Sequence, residues 1–402
     1  MDDAIPDGVM YAQVEQAYTF LDYPPFDACV RLVGVDENSF QNAAFNSDAG
    51  CRTYFIDIAW CKLLPTIGLS VGHAQTLLGA GLPEPLLEAW PDGLWVRVTY
   101  SRSSDATGAY AYEIFADAEP IDLDLKSLSF ATGPSVSAPP TAAHLPTISV
   151  SQTFGLYAFH VGQGMCALLK GTVDGILLDA GAGTPVSRAA YRAPGPSFVN
   201  DLKSAIGTLD LQAIVSHPDS DHWRLLDWDT ALCGAVKAVY TPSGTAALAF
   251  KSVHVKPRVH AIGSASVSNG AGGATLLEVH RSQPARSDRN GECLVVETHC
   301  AGRGLFPGDY VYDRMATDAN LAIRALASRT FDAVMVPHHG DAASASVTVS
   351  PAAPGTTHAF FSAGNHAGYK HPTAASLRAH LGRSFDNIDK HWLTDVRQQP
   401  LP

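Results

Sequence analysis

Val215-Ser216-His217-Pro218-Asp219-Ser220-Asp221-His222 places four metal-competent side chains within six residues, directly after a short apolar run. Residues 213–215 read as a buried strand of a parallel sheet, and Pro218 takes the chain out of regular structure. The ligands are therefore expected on a loop at a strand's carboxyl end, where α/β sheets place their chemistry. Imidazoles and carboxylates together suit a divalent transition metal, and two Asp with two His this close suit two ions better than one.

The same pattern recurs downstream. Residues 293–297 and 304–306 read as a strand pair followed by Pro307-Gly308-Asp309, and 331–336 as a buried strand ending in Pro337-His338-His339-Gly340. A strand at 359–362 leads to Gly368-Tyr369-Lys370-His371-Pro372 and a helix at 373–381. Upstream, 156–161 and 165–170 are strands around the turn Gly162-Gln163-Gly164, and a third strand ends at Asp179-Ala180-Gly181-Ala182-Gly183, where glycines permit close backbone approach. Helices are expected at 200–209, 223–232 and 321–328, strands at 237–240 and 275–279, and an irregular stretch at 263–273. One HxDxDH run alone can be a solvated acidic turn. His or Asp at four separate strand ends argues for a built site.

The chain has 402 residues, 46% of them hydrophobic and 16% charged, enough for two domains with real cores. Strands at 28–35, 53–58, 94–100 and 110–115, with short helices at 74–79 and 84–90, predict a mainly β domain over 1–132 that carries no catalytic motif. Its Trp90, Trp95, Tyr100, Tyr110 and Tyr112 fit a core better than a ligand face. Residues 133–147, rich in Pro, Ala and Ser, read as a linker, and 148–402 as the domain holding every ligand motif. The acidic amino terminus and the absence of a long apolar run predict neither signal peptide nor membrane span, and a cytoplasmic location. Seven cysteines without a CxxC pair fit reduced thiols rather than a disulfide framework. A formal net charge of −12 excludes broad electrostatic adhesion to nucleic acid, although metal ions or a local basic patch can still hold a phosphate.

Between about residues 154 and 382 the sequence resembles the metallo-β-lactamase fold, and within it the soluble nuclease-like domain of ComEC-type DNA-uptake proteins and their free-standing relatives. The resemblance rests on Val161-Gly162-Gln163-Gly164, Leu177-Leu178-Asp179-Ala180-Gly181, Ser216 to His222, Pro307-Gly308-Asp309 and Val336 to Gly340 with Ser344, and more loosely on Gly368 to Pro372. It implies an α/β fold, an αββα sandwich preceded by the smaller mainly β domain, with two divalent ions, zinc or manganese, at its upper edge. By that pattern His217 and Asp219 bind one ion, Asp221 and His222 the other, and Asp309 bridges them. His338 is the leading further ligand, with His339 and His371 as competitors. Three positions depart from the wider pattern: Met165 stands where an acid follows VGQG, Asp341 where a serine follows the His-His-Gly, and Asp219 where many members have histidine. No middle histidine is evident; Asn290 lies near where the subgroup has Asn, and His254, His260 and His280 match by residue type only.

Two ions that activate water remove the need for a Ser or Cys nucleophile. The expected activity is phosphodiester hydrolysis on DNA, with Asp221 and His222 essential and Asp221 also orienting the water. A small or cyclic nucleotide is the alternative substrate. An inactive metal-binding scaffold that recruits a partner protein through the first domain is the alternative of another class.

Overall fold

Alternation of apolar and polar residues in the first third of the chain builds a closed antiparallel barrel. The computed structural model describes residues 5, 8–66, 93–142, 146–286, 288–364, 368–389 and 394–402. The barrel strands are β1 (Gly8–Phe20), β2 (Ala28–Asp36), β3 (Tyr54–Ala59), β4 (Trp95–Arg102), β5 (Ala109–Glu113) and β6 (Ile121–Ala131), in the order β1-β2-β3-β5-β6-β4. Met10, Ala12, Val30, Leu32, Ile56, Ile58, Val96 and Val98 share one core, as a period of two requires of a closed sheet. On the opposite face of β2, Arg31 is wholly buried. It bonds both oxygens of Asp57 at 2.7 and 2.6 Å and Asp22 at 2.8 Å, and Tyr110 donates to Asp57 at 2.7 Å. Pairing is what makes a buried guanidinium tolerable. Trp95, Tyr100, Tyr110 and Tyr112 are buried; Trp90 and the helices expected at 74–79 and 84–90 lie outside the described residues.

The chain forms two units. The first runs to Ser137 and also takes in Ala246–Pro257; the second is Ala138–Thr245 with Arg258–Pro402. Within the first unit the Ala246–Pro257 segment buries Leu248, Phe250 and Val255, stacks Phe250 on Phe115 at 6.1 Å, and bonds His254 to Glu113 at 2.8 Å. The sequence reading expected one passage between domains, through 133–147; the chain makes further ones on either side of Ala246–Pro257.

The second unit is mixed α/β. Its strands are β7 (Gly155–His160), β8 (Cys166–Lys170), β9 (Asp174–Ala180), β10 (Asp210–Ile214), β11 (Val236–Pro242), β12 (Val259–Ile262), β13 (Ala265–Ser268), β14 (Thr275–Arg281), β15 (Leu294–His299), β16 (Arg303–Phe306), β17 (Thr330–Phe331), β18 (Ala333–Met335), β19 (Ser350–Pro351), β20 (His358–Phe360), β21 (Asp386–Ile388) and β22 (Arg397–Leu401). Two seven-stranded sheets result, β12-β11-β10-β9-β8-β7-β22 and β13-β14-β15-β16-β18-β20-β21, and β17 pairs with β19. Leu156, Leu169, Ile176, Leu178 and Ile214 of the first sheet share one core with Leu277, Val279, Leu294, Val296 and Met335 of the second. A second core joins Val295, Leu305, Val334 and Ala359 to Met315, Ile323 and Leu326 of two helices.

Parallel pairing of β9 with β10 and β10 with β11, and of β16 with β18 and β18 with β20, brings the carboxyl ends within each set to one edge. The backbone bond from Leu294 N to Ser216 O, 2.7 Å, ties the second sheet to the His217 loop. The helix expected at 200–209 is shorter, Asp201–Ile206, capped by Asn200 and ended at Gly207. The helix expected at 223–232 is broken into Arg224–Trp228 and Thr230–Ala235, because the Asp229 carboxylate accepts from Leu232 N and starts a new helix. Strand β13 lies inside the stretch expected to be irregular. All seven cysteines are free thiols, and among the described residues no helix is long and apolar enough to cross a membrane.

Candidate metal centre

The ligand loop leaves β10 and turns at once. Ser220–His222 forms a single 3-10 turn, and fully buried Trp223 donates its indole N–H to Pro218 O at 2.9 Å, pinning the loop from below. Two glycines make room for it. A Cβ on Gly181 would stand 1.6 Å from Asp221 O, and one on Gly308, whose φ is +58°, would stand 2.5 Å from Ser216 Oγ. Met165 serves the loop through its backbone, donating N–H to Asp221 O at 3.0 Å and accepting from Gly181 at 2.7 Å. Its side chain lies in the apolar core between the sheets.

Five of the expected ligands converge. His222 Nε2 lies 3.2 Å from Asp309 Oδ1 and 3.9 Å from Asp221 Oδ1; His339 Nε2 lies 3.2 Å from Asp221 Oδ2 and 3.6 Å from Asp309 Oδ1; His217 Nε2 lies 3.7 Å from Asp309 Oδ2. Asp219 joins through Oδ2, 3.4 Å from His217 Nε2. The sets His217, His222, Asp309 and Asp221, His222, His339 each bring one ligand atom per residue within 4.8 Å of one another, and all of these residues are buried. His217 Nε2, His222 Nε2, His339 Nε2 and Asp309 Oδ1 are buried without a hydrogen-bond partner. Such atoms are costly unless something satisfies them. Ligands at about 2.0–2.2 Å from a tetrahedral ion stand about 3.3–3.6 Å apart, and the measured edges bracket that spacing. The donor set therefore fits divalent ions.

The field agrees. Burial pushes Asp219, Asp221 and Asp309 up, yet Arg289 and His217 beside Asp219, and the imidazoles around the other two, hold all three carboxyls below their ordinary value. Carboxylates ready without a proton are what a metal needs. Burial pushes the His222 imidazole down, but Asp179 and Asp309 hold it well above its usual range, so this surplus of negative charge favours a cation at Nε2.

Asp179 is the residue whose part the sequence reading missed. At the end of β9, with φ +56°, it accepts from Ser216 N at 2.6 Å and Ser216 Oγ at 2.9 Å, and its Oδ2 lies 2.8 Å from His222 Nδ1. A carboxylate on Nδ1 fixes the tautomer and leaves Nε2 to the centre. Its signal was the acid closing the run Leu177-Leu178-Asp179, which carried the resemblance without a role for the acid itself. The backbone carbonyl of Ser362 does the same for His339, 2.8 Å from its Nδ1.

The two adjacent histidines differ in placement. His338 and His339 both hold left-handed φ values, +47° and +54°, a conformation that costs on the order of 1–3 kcal/mol per residue and aims consecutive imidazoles differently. His339 is 1% exposed and inside the cluster; the His338 side chain is 31% exposed, with Nε2 3.5 Å from Asp309 and Nδ1 3.2 Å from Asp341. Burial pushes His338 down, but Asp309 and Asp341 raise it to about 9, and it in turn lowers Asp341 to about 2. Asn290 Nδ2 lies 3.4 Å from His338 Nε2. His371 stands behind them, with ring centroids 5.7 Å from His338 and 6.3 Å from His339, and Nδ1 3.4 Å from Gln163 Nε2; burial, with those histidines, lowers it to about 3. It belongs to neither set of convergent ligands.

A separate group, Glu278, His280 and Glu297, also brings ligand atoms together. Glu297 is fully buried but already bonded by Arg329 at 2.8 Å and faced by Arg303 at 3.2 Å, so two guanidinium groups balance the two carboxylates there. His254 pairs with Glu113 in the first unit, and His260, on β12, packs on Tyr240. None of these three histidines joins the sets around Asp309. No protein-family model matches the chain, and no curated protein matches it either.

Proposed function

We propose that the second unit is an αββα sandwich of the metallo-β-lactamase type, similar to the ComEC-type nuclease-like domain, and that it hydrolyses a phosphodiester, with DNA as its substrate. The observation that carries this reading is the convergence of His217, Asp221, His222, Asp309 and His339 at ligand-polyhedron spacing, with buried atoms that nothing else satisfies. His217, Asp219 and Asp309 would hold one zinc or manganese ion, and Asp221, His222, Asp309 and His339 the other. His339 replaces His338 as the leading ligand because only its Nε2 reaches both Asp221 and Asp309 from a buried position.

When bound, two such ions lower the pKa of a shared water and clamp the phosphoryl oxygens. The protein's own groups do the rest. Asp179 and the Ser362 carbonyl keep Nε2 of His222 and His339 facing the centre. Asp221 is turned by the fixed backbone of its 3-10 turn to orient the attacking water. His338, whose Nδ1 lies 3.2 Å from Asp341 Oδ2 at the exposed side of the cluster, is placed to give a proton to the leaving oxygen. One observation favours a small or cyclic nucleotide as a second reading: a formal net charge of −12 supports few backbone contacts along a nucleic acid.

The test is hydrolysis of bis(p-nitrophenyl) phosphate, single-stranded DNA, duplex DNA and cyclic dinucleotides by the full chain after chelation and restoration of zinc or manganese. Chelator-sensitive cleavage lost in Asp221→Ala and His222→Ala supports the reading. Turnover that survives both variants, or none on any substrate, overturns it.

A further inference from the structure

The cluster is rich in acids, and a guanidinium reaches it: Arg289 Nε pairs with Asp219 Oδ1. This leaves Asp219 Oδ2 toward His217 at 3.4 Å, so the two oxygens of one carboxylate face different groups. The Arg289 side chain is 27% exposed, at the same margin as His338, whose Nε2 neighbours the next residue, Asn290.

The loop that carries Arg289 is braced. Asp288 accepts from Gly291 N at 2.6 Å and from Arg314 Nη1 at 2.9 Å, Arg314 also bonds Arg286 O at 3.1 Å, and Ser282 Oγ donates to Gly291 O at 2.6 Å. Past the loop, Leu294 N is tied to Ser216 O beside the ligand turn. A braced loop that ends in Arg-Asn at a metal-competent carboxylate differs from a solvated surface arginine, whose ion pairs contribute little.

Resting on the phosphodiester reading above, we propose that Arg289 is the anion-binding arm of this site. Its guanidinium, paired with Asp219 through Nε at the exposed margin of the cluster, also takes a non-bridging oxygen of the substrate phosphate, with Asn290 supplying a neutral amide donor beside it. A guanidinium fork suits this double duty, because its donors lie in one plane and match carboxylate and phosphate oxygens in pairs, which an ammonium does not. The substrate class it selects is a phosphate ester rather than a neutral amide or lactone, since an uncharged carbonyl gains little from a fixed guanidinium.

The experiment uses the full chain with zinc or manganese restored, and Arg289→Gln, Arg289→Lys and Asn290→Ala. It measures metal content, inhibition by inorganic phosphate, and KM and kcat for bis(p-nitrophenyl) phosphate. Arg289→Gln is expected to keep its metal at saturating supply, weaken inhibition by phosphate at least 10-fold and raise KM by a similar factor; Arg289→Lys is expected to recover part of both, and Asn290→Ala to show a smaller loss. Unchanged phosphate inhibition in Arg289→Gln, with or without loss of metal affinity, would overturn the proposal and leave Arg289 as a support for Asp219 alone. A wild-type protein that binds metal and cleaves an uncharged ester but neither binds phosphate nor cleaves a diester would overturn both this and the phosphodiester reading. A wild type that cleaves the diester with an Arg289→Gln variant indistinguishable from it would overturn this inference only.

Discussion

Asp179→Asn is the substitution from which most can be computed. The carboxylate meets three groups, Ser216 N at 2.6 Å, Ser216 Oγ at 2.9 Å and His222 Nδ1 at 2.8 Å. An amide of the same shape has one acceptor oxygen. If that oxygen keeps Ser216 N, the new N–H₂ group faces His222 Nδ1 and drives the ring to the tautomer that protonates Nε2, the atom aimed at Asp309 from 3.2 Å. A carboxylate supporting a ligand histidine is worth about 10–100-fold in metal affinity, or about 1.4–2.7 kcal/mol. Loss of the charged hydrogen bond also lowers fold stability by about 1.5–3 kcal/mol. Asp174→Asn separates the two effects. That buried carboxylate sits at the other end of the same strand and accepts from Ser149 Oγ at 2.7 Å and Gln152 Nε2 at 2.6 Å, so its loss should lower stability and leave metal affinity alone. Zinc affinity is measured by competition with a chromophoric chelator, and stability by urea midpoint. A folded Asp179→Asn protein that binds zinc as tightly as wild type would refute the reasoning.

Other consequences are equally open to measurement. His339→Ala should lose an ion from the centre, whereas His338→Ala should keep its metal and lose at least about 10-fold in kcat; the reverse pattern in metal analysis would exchange their roles. Asp57→Ala leaves the buried Arg31 with Asp22 as its remaining carboxylate and should destabilise the barrel by about 3–5 kcal/mol, with a loss below about 1 kcal/mol in urea unfolding contradicting the burial described. His380 is buried between Ser376 O and the Tyr312 hydroxyl, and burial lowers it from 6.5 to about 4. Because the folded value is depressed, its neutral form contributes full stability above about pH 6.5, and that contribution is lost as pH falls from about 6.5 toward 4, to a limit of about 3 kcal/mol. His380→Leu should flatten that acid limb; an unchanged slope would show that His380 is not the titrating group.

The strand ends that matter were legible because each is announced locally: an apolar run, then Pro or Gly, then His or Asp. Residues 213–222, 307–309 and 337–340 follow that rule, and their ligand types converge in three dimensions. The choice between His338 and His339 was not legible, since adjacent residues share every sequence signal and are separated only by consecutive left-handed backbone angles. Asp179 was hidden for a related reason: its role depends on parallel register, Leu178 beside Ile214, which brings it level with Ser216. Arg289 lies in a loop without periodicity. The return of Ala246–Pro257 to the first unit was equally silent, because the apolar side chains of Leu248 and Phe250 look the same whichever core they fill. A truncation at the Pro-rich stretch would strip those side chains of their partners, so tests of the site belong in the full chain.

The most direct measurement is metal content of the purified chain after dialysis against zinc or manganese, alongside Asp309→Asn, which removes the carboxylate common to both proposed ions. About two ions per chain in the wild type, falling below one in the variant, with chelator-sensitive phosphodiester cleavage lost in parallel, is the expected result. A wild-type protein that retains no ion, or a variant that retains as many as wild type, would contradict a two-ion centre built on Asp309.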